Sequence, residues 1–161
     1  MTEAPAEPSH APLVVLDTMV VIRAVVGRRD AADALILRAV VADGELRLAI
    51  SDDGLRELQR VMNYDFVREK IADPVRAFTV GLDVGVMGKL FHPPKLDWPT
   101  LPNPKDRWVL DLAFEAGSDE SHPPYIVTRD RHFLERRPEL EAMGFRILTP
   151  EQLLEKLRRK L

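Results

Sequence analysis

Short apolar runs that end on a polar or acidic residue alternate along this chain with stretches whose apolar residues fall at helical spacing. The first run is Leu13-Val14-Val15-Leu16, closed by Asp17-Thr18. With Pro12 before it and no polar alternation, it reads as a strand buried on both faces. Met19, Val20, Ile22, Val25 and Val26 then predict a short helix ending near Gly27. Asp30 opens a second helix, whose apolar side is Ala31, Ala34, Leu35, Leu37 and Val41 and whose stop is Gly44. A second strand covers 46–50, and Ser51 follows as the N-cap of a helix through Met62. A further short helix covers 64–71, and Pro74 starts another that runs to about Gly88.

Leu90-Phe91-His92 reads as a short third strand. Five prolines between Pro93 and Pro104 make the next stretch a loop or strap. The helix expected over 104–117 carries Val109, Leu112, Ala113 and Ala116 on one side. After a polar connection, Tyr125-Ile126-Val127-Thr128 is a fourth strand that again runs into a carboxylate, Asp130. A helix over 132–143, broken near Pro138, leads to a fifth strand over 145–148. Thr149-Pro150 caps a last helix over 151–160, with Leu153, Leu154, Leu157 and Leu161 as its apolar stripe. This alternation predicts an α/β fold, a five-stranded parallel sheet with helices on both faces. One domain over 13–161 is expected, preceded by a Pro-, Ala- and Glu-rich tail over 1–12 expected to be disordered.

Composition narrows the chemistry. The 161 residues include no cysteine, which excludes disulfides, thiolate catalysis and cysteine-ligated zinc. The four histidines, His10, His92, His122 and His132, do not fall at ligand spacing. No apolar run reaches the roughly 20 residues that span a bilayer. The start of the chain shows no basic segment followed by an apolar core, so the expectation is a cytoplasmic protein without membrane association. The formal net charge is −3, which does not advertise nucleic acid, although an acidic site can have a basic rim.

In an open α/β sheet the chemistry lies just beyond the carboxyl ends of the strands. Asp17 and Asp130 end strands there, and Asp106 sits in the first turn of its helix. Glu57 lies about two turns into the helix after Ser51 and flanks its buried face. Each also has an ordinary reading. Asp17 caps a helix, Asp106 favours a helix dipole, Glu57 pairs with Arg56 or Arg60, and Asp130 pairs among Arg129, Arg131 and His132. For Asp52, Asp53 and Asp111 the ordinary reading is the better one; Asp111 is turned away from Asp106 around the helix. If the four converge, two carboxylates 4 Å apart repel by roughly 4 kcal/mol at an effective dielectric of about 20. Protons or a divalent cation must relieve that, and an all-oxygen set suits Mg²⁺ or Mn²⁺ serving phosphate chemistry.

Five pieces in order carry a resemblance. They are Val-Val-Leu-Asp17-Thr18, Ser51-Asp-Asp-Gly-Leu-Arg-Glu57-Leu, Asn103-Pro-Lys-Asp106-Arg-Trp-Val-Leu-Asp-Leu-Ala113, Ile-Val-Thr128-Arg-Asp130 and Phe145-Arg-Ile-Leu-Thr-Pro150. Together they resemble the PIN-domain family, in the branch of VapC-like toxins of bacterial toxin–antitoxin systems. The resemblance implies a metal-dependent ribonuclease with Asp17, Glu57, Asp106 and Asp130 as the acidic, metal-binding quartet. It implies a supporting hydroxyl at Thr18 or Thr128, an antitoxin partner and a homodimer. Two positions depart from the pattern: Met19 stands where the family usually has Asn, and Asn103 where it often has Asp.

Two other classes compete with the RNA-cleaving enzyme. One is a PIN-like module that holds RNA or a protein with little turnover, which Met19 favours. The other is a different Mg²⁺-dependent α/β phosphate hydrolase, such as a haloacid-dehalogenase-like phosphatase. That enzyme needs a second Asp where Met19 stands. For RNA, Lys105, Arg107, Arg129 and Arg131 flank two of the proposed ligands and are the expected phosphate contacts, although any one of them alone is ordinarily a solvated surface charge.

Overall fold

The computed structural model describes residues 11–99 and 103–159. The tail expected over 1–12 lies outside them except for Ala11 and Pro12. Both are held to the second strand through Arg47, whose backbone N–H donates to the Pro12 carbonyl and whose side chain donates to that of Ala11.

Five strands form one all-parallel sheet: β1 Leu13–Leu16, β2 Arg47–Ser51, β3 Lys89–Phe91, β4 Tyr125–Val127 and β5 Arg146–Leu148. Their order is β3-β2-β1-β4-β5. The chain winds outward from β1 through β2 to β3, then returns to the other side of β1 for β4 and β5. The winding reverses between β1 and β4, which is where an open α/β sheet leaves a crevice at its carboxyl edge. Asp17 leaves β1 at that edge, and Thr128 and Asp130 leave β4.

The period-2 geometry of the strands sorts the core into two layers. Val14, Leu16, Leu48, Ile50, Val127 and Leu148 face one side, packed by helices α1 Thr18–Val26, α2 Ala32–Val41, α5 Pro74–Met87 and α9 Pro150–Arg159. Leu13, Val15, Ala49, Ile126 and Ile147 face the other, packed by α6 Arg107–Gly117, α7 Arg131–Glu135 and α8 Arg137–Ala142. Both faces of β1 are buried, which is why its sequence carries no alternation. A smaller cluster of Ile22, Val61 and Val67 joins α1 to α3 Asp52–Met62 and α4 Asp65–Lys70.

The expected stops and caps act as such. Gly44 takes a positive φ of 64° after α2, and the Ser51 hydroxyl accepts from Gly54 N–H at 3.2 Å. Gly54 also permits a close approach: a β-carbon there would lie 2.8 Å from the Trp108 ring of α6. One helix starts differently from expectation, and another breaks where the break was expected. The helix expected over 104–117 begins as a 3-10 turn, Pro104–Asp106, and becomes α-helical only at Arg107. The helix expected over 132–143 is two helices, separated at Arg136 just before Pro138, whose ring cannot follow the preceding turn. Among the described residues no helix is long and apolar enough to cross a membrane.

Candidate active site

Four elements bring carboxylates to the carboxyl edge. Asp17 caps α1 at the end of β1, Glu57 comes from the middle of α3, Asp106 caps α6, and Asp130 caps α7 after β4. All four line one cleft of about 350 Å³, together with Thr18, Met19, Arg23, Tyr64, Lys105 and Arg129, among others.

The floor is ordered by one hydroxyl. Thr128 is fully buried; its Oγ1 donates to Asp17 Oδ2 at 2.7 Å and accepts from the Asp130 N–H at 3.0 Å. One side chain thus sets both the Asp17 rotamer and the turn that carries Asp130. Thr18 is also buried, and its hydroxyl has no hydrogen-bond partner among the described residues. Of the two candidate hydroxyls, Thr128 holds the carboxylate and Thr18 lines the cleft.

The carboxylates feel one another. Burial raises the Asp17 carboxyl above its ordinary value; the Thr128 hydrogen bond opposes that, and the charges of Asp130 and Glu57 add to it. Asp106 is pushed up to about 6, first by burial and then by the charges of Asp130 and Asp17, with His132 partly offsetting them. Asp106 Oδ2 is buried without a hydrogen-bond partner among the described residues.

The expected quartet is an open arrangement. It shares a cleft, but among the described residues no three Asp, Glu or His side chains form a closed group that could hold a metal ion as they stand. Three of the four acids are engaged locally. Glu57 forks onto Arg60 at 2.7 Å, Asp130 Oδ1 accepts from the His132 N–H at 2.8 Å, and Asp17 is tied to Thr128. The ordinary reading of Glu57 as a partner of Arg60 is therefore also realised. By donor chemistry the residues fit Mg²⁺ or Mn²⁺: every donor is a hard oxygen, their charges repel, and a buried oxygen of Asp106 lacks a partner among the described residues.

The expected basic rim divides. Lys105 and Arg129 line the cleft, whereas Arg107 and Arg131 lie outside its lining. Arg107 reaches Asp97 at 3.4 Å, and Arg131 pairs with Glu135 one turn on. Arg129 grips buried Asp33 of α2 at 2.6 Å and Glu151 of α9 at 2.6 Å, a double pairing that raises its pKa. Asp33 was not legible as its partner, because 96 residues separate the two and nothing local distinguishes that Asp from a helix-start acid. Arg23, Tyr64 and Phe66 are further cleft residues that the charge pattern alone did not mark. Asp111 does face away from the cleft; it is buried and accepts from Trp98 Nε1 at 2.7 Å and Leu96 N–H at 3.1 Å, anchoring the proline-rich strap. Asn103 is the N-cap of the 3-10 turn, its Oδ1 accepting from Lys105 N–H at 3.1 Å.

No curated protein matches the chain. A family model described as the PIN domain matches residues 13–132. PIN domains are generally nucleases and usually use divalent metal ions. The matched span contains β1 to β4 and all four cleft carboxylates, and on it this chain belongs to the PIN-domain family.

Proposed function

We propose that the chain is a Mg²⁺- or Mn²⁺-dependent ribonuclease that cuts RNA internally, with Asp17, Glu57, Asp106 and Asp130 as its catalytic acids. The observation that carries this reading is their shared cleft at the point where the sheet's winding reverses, with Asp106 raised to about 6 first by burial and then by its acidic neighbours. Asp17, Asp106, Asp130 and Glu57 would hold the cation. When bound there, it supplies positive charge against a phosphoryl oxygen. Thr128 holds Asp17 and Asp130 in register, and Lys105 and Arg129 offer positive charge at the rim. Arg129 is pre-oriented through Nε and Nη2 by its two carboxylates, so Nη1 is the nitrogen that would meet a phosphate.

The toxin role, with an antitoxin as partner, rests on the resemblance of the motifs. The exposed apolar side of α5, with Val75, Phe78, Leu82 and Val86, supports a protein partner, which we take to be a second copy in a homodimer. A second reading, a nucleic-acid-binding module with little turnover, is favoured by Met19, a half-exposed apolar side chain in the cleft wall. RNA cleavage with Mg²⁺ or Mn²⁺, comparing wild type with Asp17→Asn, decides between them. Cleavage by wild type that is lost in the variant supports the enzyme. Binding without cleavage in both supports the module.

A further inference from the structure

We propose that Tyr64 and Phe66, with Met19, form a stacking platform for an unpaired nucleobase beside the four carboxylates. The inference rests on the nuclease reading above and adds to it a base-binding wall.

The platform arises from how α4 docks. This helix has only six residues and sinks a single side chain, Val67, into the cluster of Ile22 and Val61. With Val67 inward, the neighbouring Phe66 is turned about 100° away. It stays 51% exposed, and Tyr64, which precedes the helix, stays 36% exposed. Their rings sit 5.9 Å apart, tilted by 42°. Both residues line the same cleft as the four carboxylates. Exposed aromatic surface is unfavourable in water, and here it is gathered beside the acids.

Tyr64 is also tied to the acids. Arg60 donates to its hydroxyl, with the guanidinium carbon 5.5 Å from the ring centroid, and Arg60 is itself gripped by Glu57. The chain Glu57–Arg60–Tyr64 fixes the spacing between a carboxylate and the ring. Two cations of the lining, Arg23 and Lys105, have no carboxylate partner among the described residues, whereas Arg60 and Arg129 in or beside the same cleft are both paired. Acids, free cations and aromatic faces side by side match the parts of a nucleotide: cations suit its phosphate and ring faces its base. The volume of about 350 Å³ lies near the lower end of small-ligand sites, roughly 300–1,000 Å³. In a duplex the base faces are covered by their neighbours, so only an unpaired base can reach such a wall.

The test is fluorescence anisotropy in Ca²⁺ with two labelled probes of equal length, a single-stranded RNA and an abasic phosphodiester strand. Wild type should bind the base-bearing strand about tenfold more tightly. The double variant Tyr64→Leu/Phe66→Leu should bring the two affinities within about twofold and leave the abasic affinity unchanged, and Phe66→Tyr alone should keep the preference. A second measurement uses wild type only, so that it does not depend on the variant folding: a 2-aminopurine placed in an otherwise abasic strand should lose fluorescence on binding as it stacks. Equal wild-type affinity for both probes, or an unquenched 2-aminopurine, overturns the platform and leaves the nuclease reading standing. No binding of either probe overturns both.

Discussion

Thr128 carries two contacts on which the floor of the cleft depends, so it is the residue whose loss separates position from charge. Thr128→Val removes the bond to Asp17 and leaves the Asp130 N–H without its acceptor. Stability should fall by about 1–3 kcal/mol, read by urea denaturation, and nuclease activity should fall with it. Thr128→Ser should keep both. Asp106 behaves in the opposite way. Its folded pKa of about 6 lies above the ordinary 3.8, so between those values the folded chain holds a proton that the unfolded chain has lost. Stability from this group is therefore greatest below pH 4 and declines as pH rises towards 6. At pH 7, without metal, Asp106→Asn should melt at or above wild type, by on the order of 1 kcal/mol once solvent screening is allowed for. The advantage should vanish near pH 4; a melting temperature clearly below wild type at pH 7 would assign Asp106 to helix capping alone. At this scale the sequence marked Asp17, Glu57, Asp106 and Asp130 because each stands at a strand end, a helix start or the flank of a buried helix face. It could not mark Asp33 or the role of Asp111, whose partners are distant in the chain and whose burial depends on them.

Among the elements, the turn between β4 and α7 is held by the pairing of Arg129 with Asp33 and Glu151, which joins α2 and α9 to the site. The two carboxylates are not equivalent. The Asp33 side chain is 4% exposed and that of Glu151 58%. Arg129→Ala strands a buried charge and should cost about 3–5 kcal/mol, whereas Glu151→Ala should cost no more than about 1 kcal/mol. Comparing their denaturation midpoints tests this, and equal midpoints would mean that Asp33 finds another partner. Every strand, and the helices with clear caps, could be read from the chain to within a residue or two. Apolar runs fix what lies in the sheet, and Ser51, Gly44 and Pro74 mark helix ends by local backbone chemistry. The 3-10 start at Pro104–Asp106 was not legible, since periodicity does not separate one tight turn from the first turn of a helix. That turn makes Asp106 a cap residue and turns it towards the cleft.

For the whole molecule, the strand order β3-β2-β1-β4-β5 matters most, because it leaves the crevice between β1 and β4 into which the acids project. The alternation of elements implied a parallel sheet, but alternation alone does not give an order, and the side-by-side placing of Asp17 and Asp130 follows from β1 pairing with β4. Away from the cleft, the apolar side of α5 is the surface proposed to meet a second copy. Analytical ultracentrifugation should find a dimer, and Phe78→Glu with Val86→Glu should give a folded monomer, since both side chains are exposed in the single chain. A monomeric wild type would remove the homodimer. The central claim is that four acids from four elements serve one divalent cation. Its most direct test is calorimetric titration of Mn²⁺ into wild type and into Asp17→Asn, Glu57→Gln, Asp106→Asn and Asp130→Asn in turn. The expected result is one class of site in wild type, weakened about tenfold or more by each substitution. Unchanged Mn²⁺ affinity in both Asp17→Asn and Asp130→Asn would contradict it.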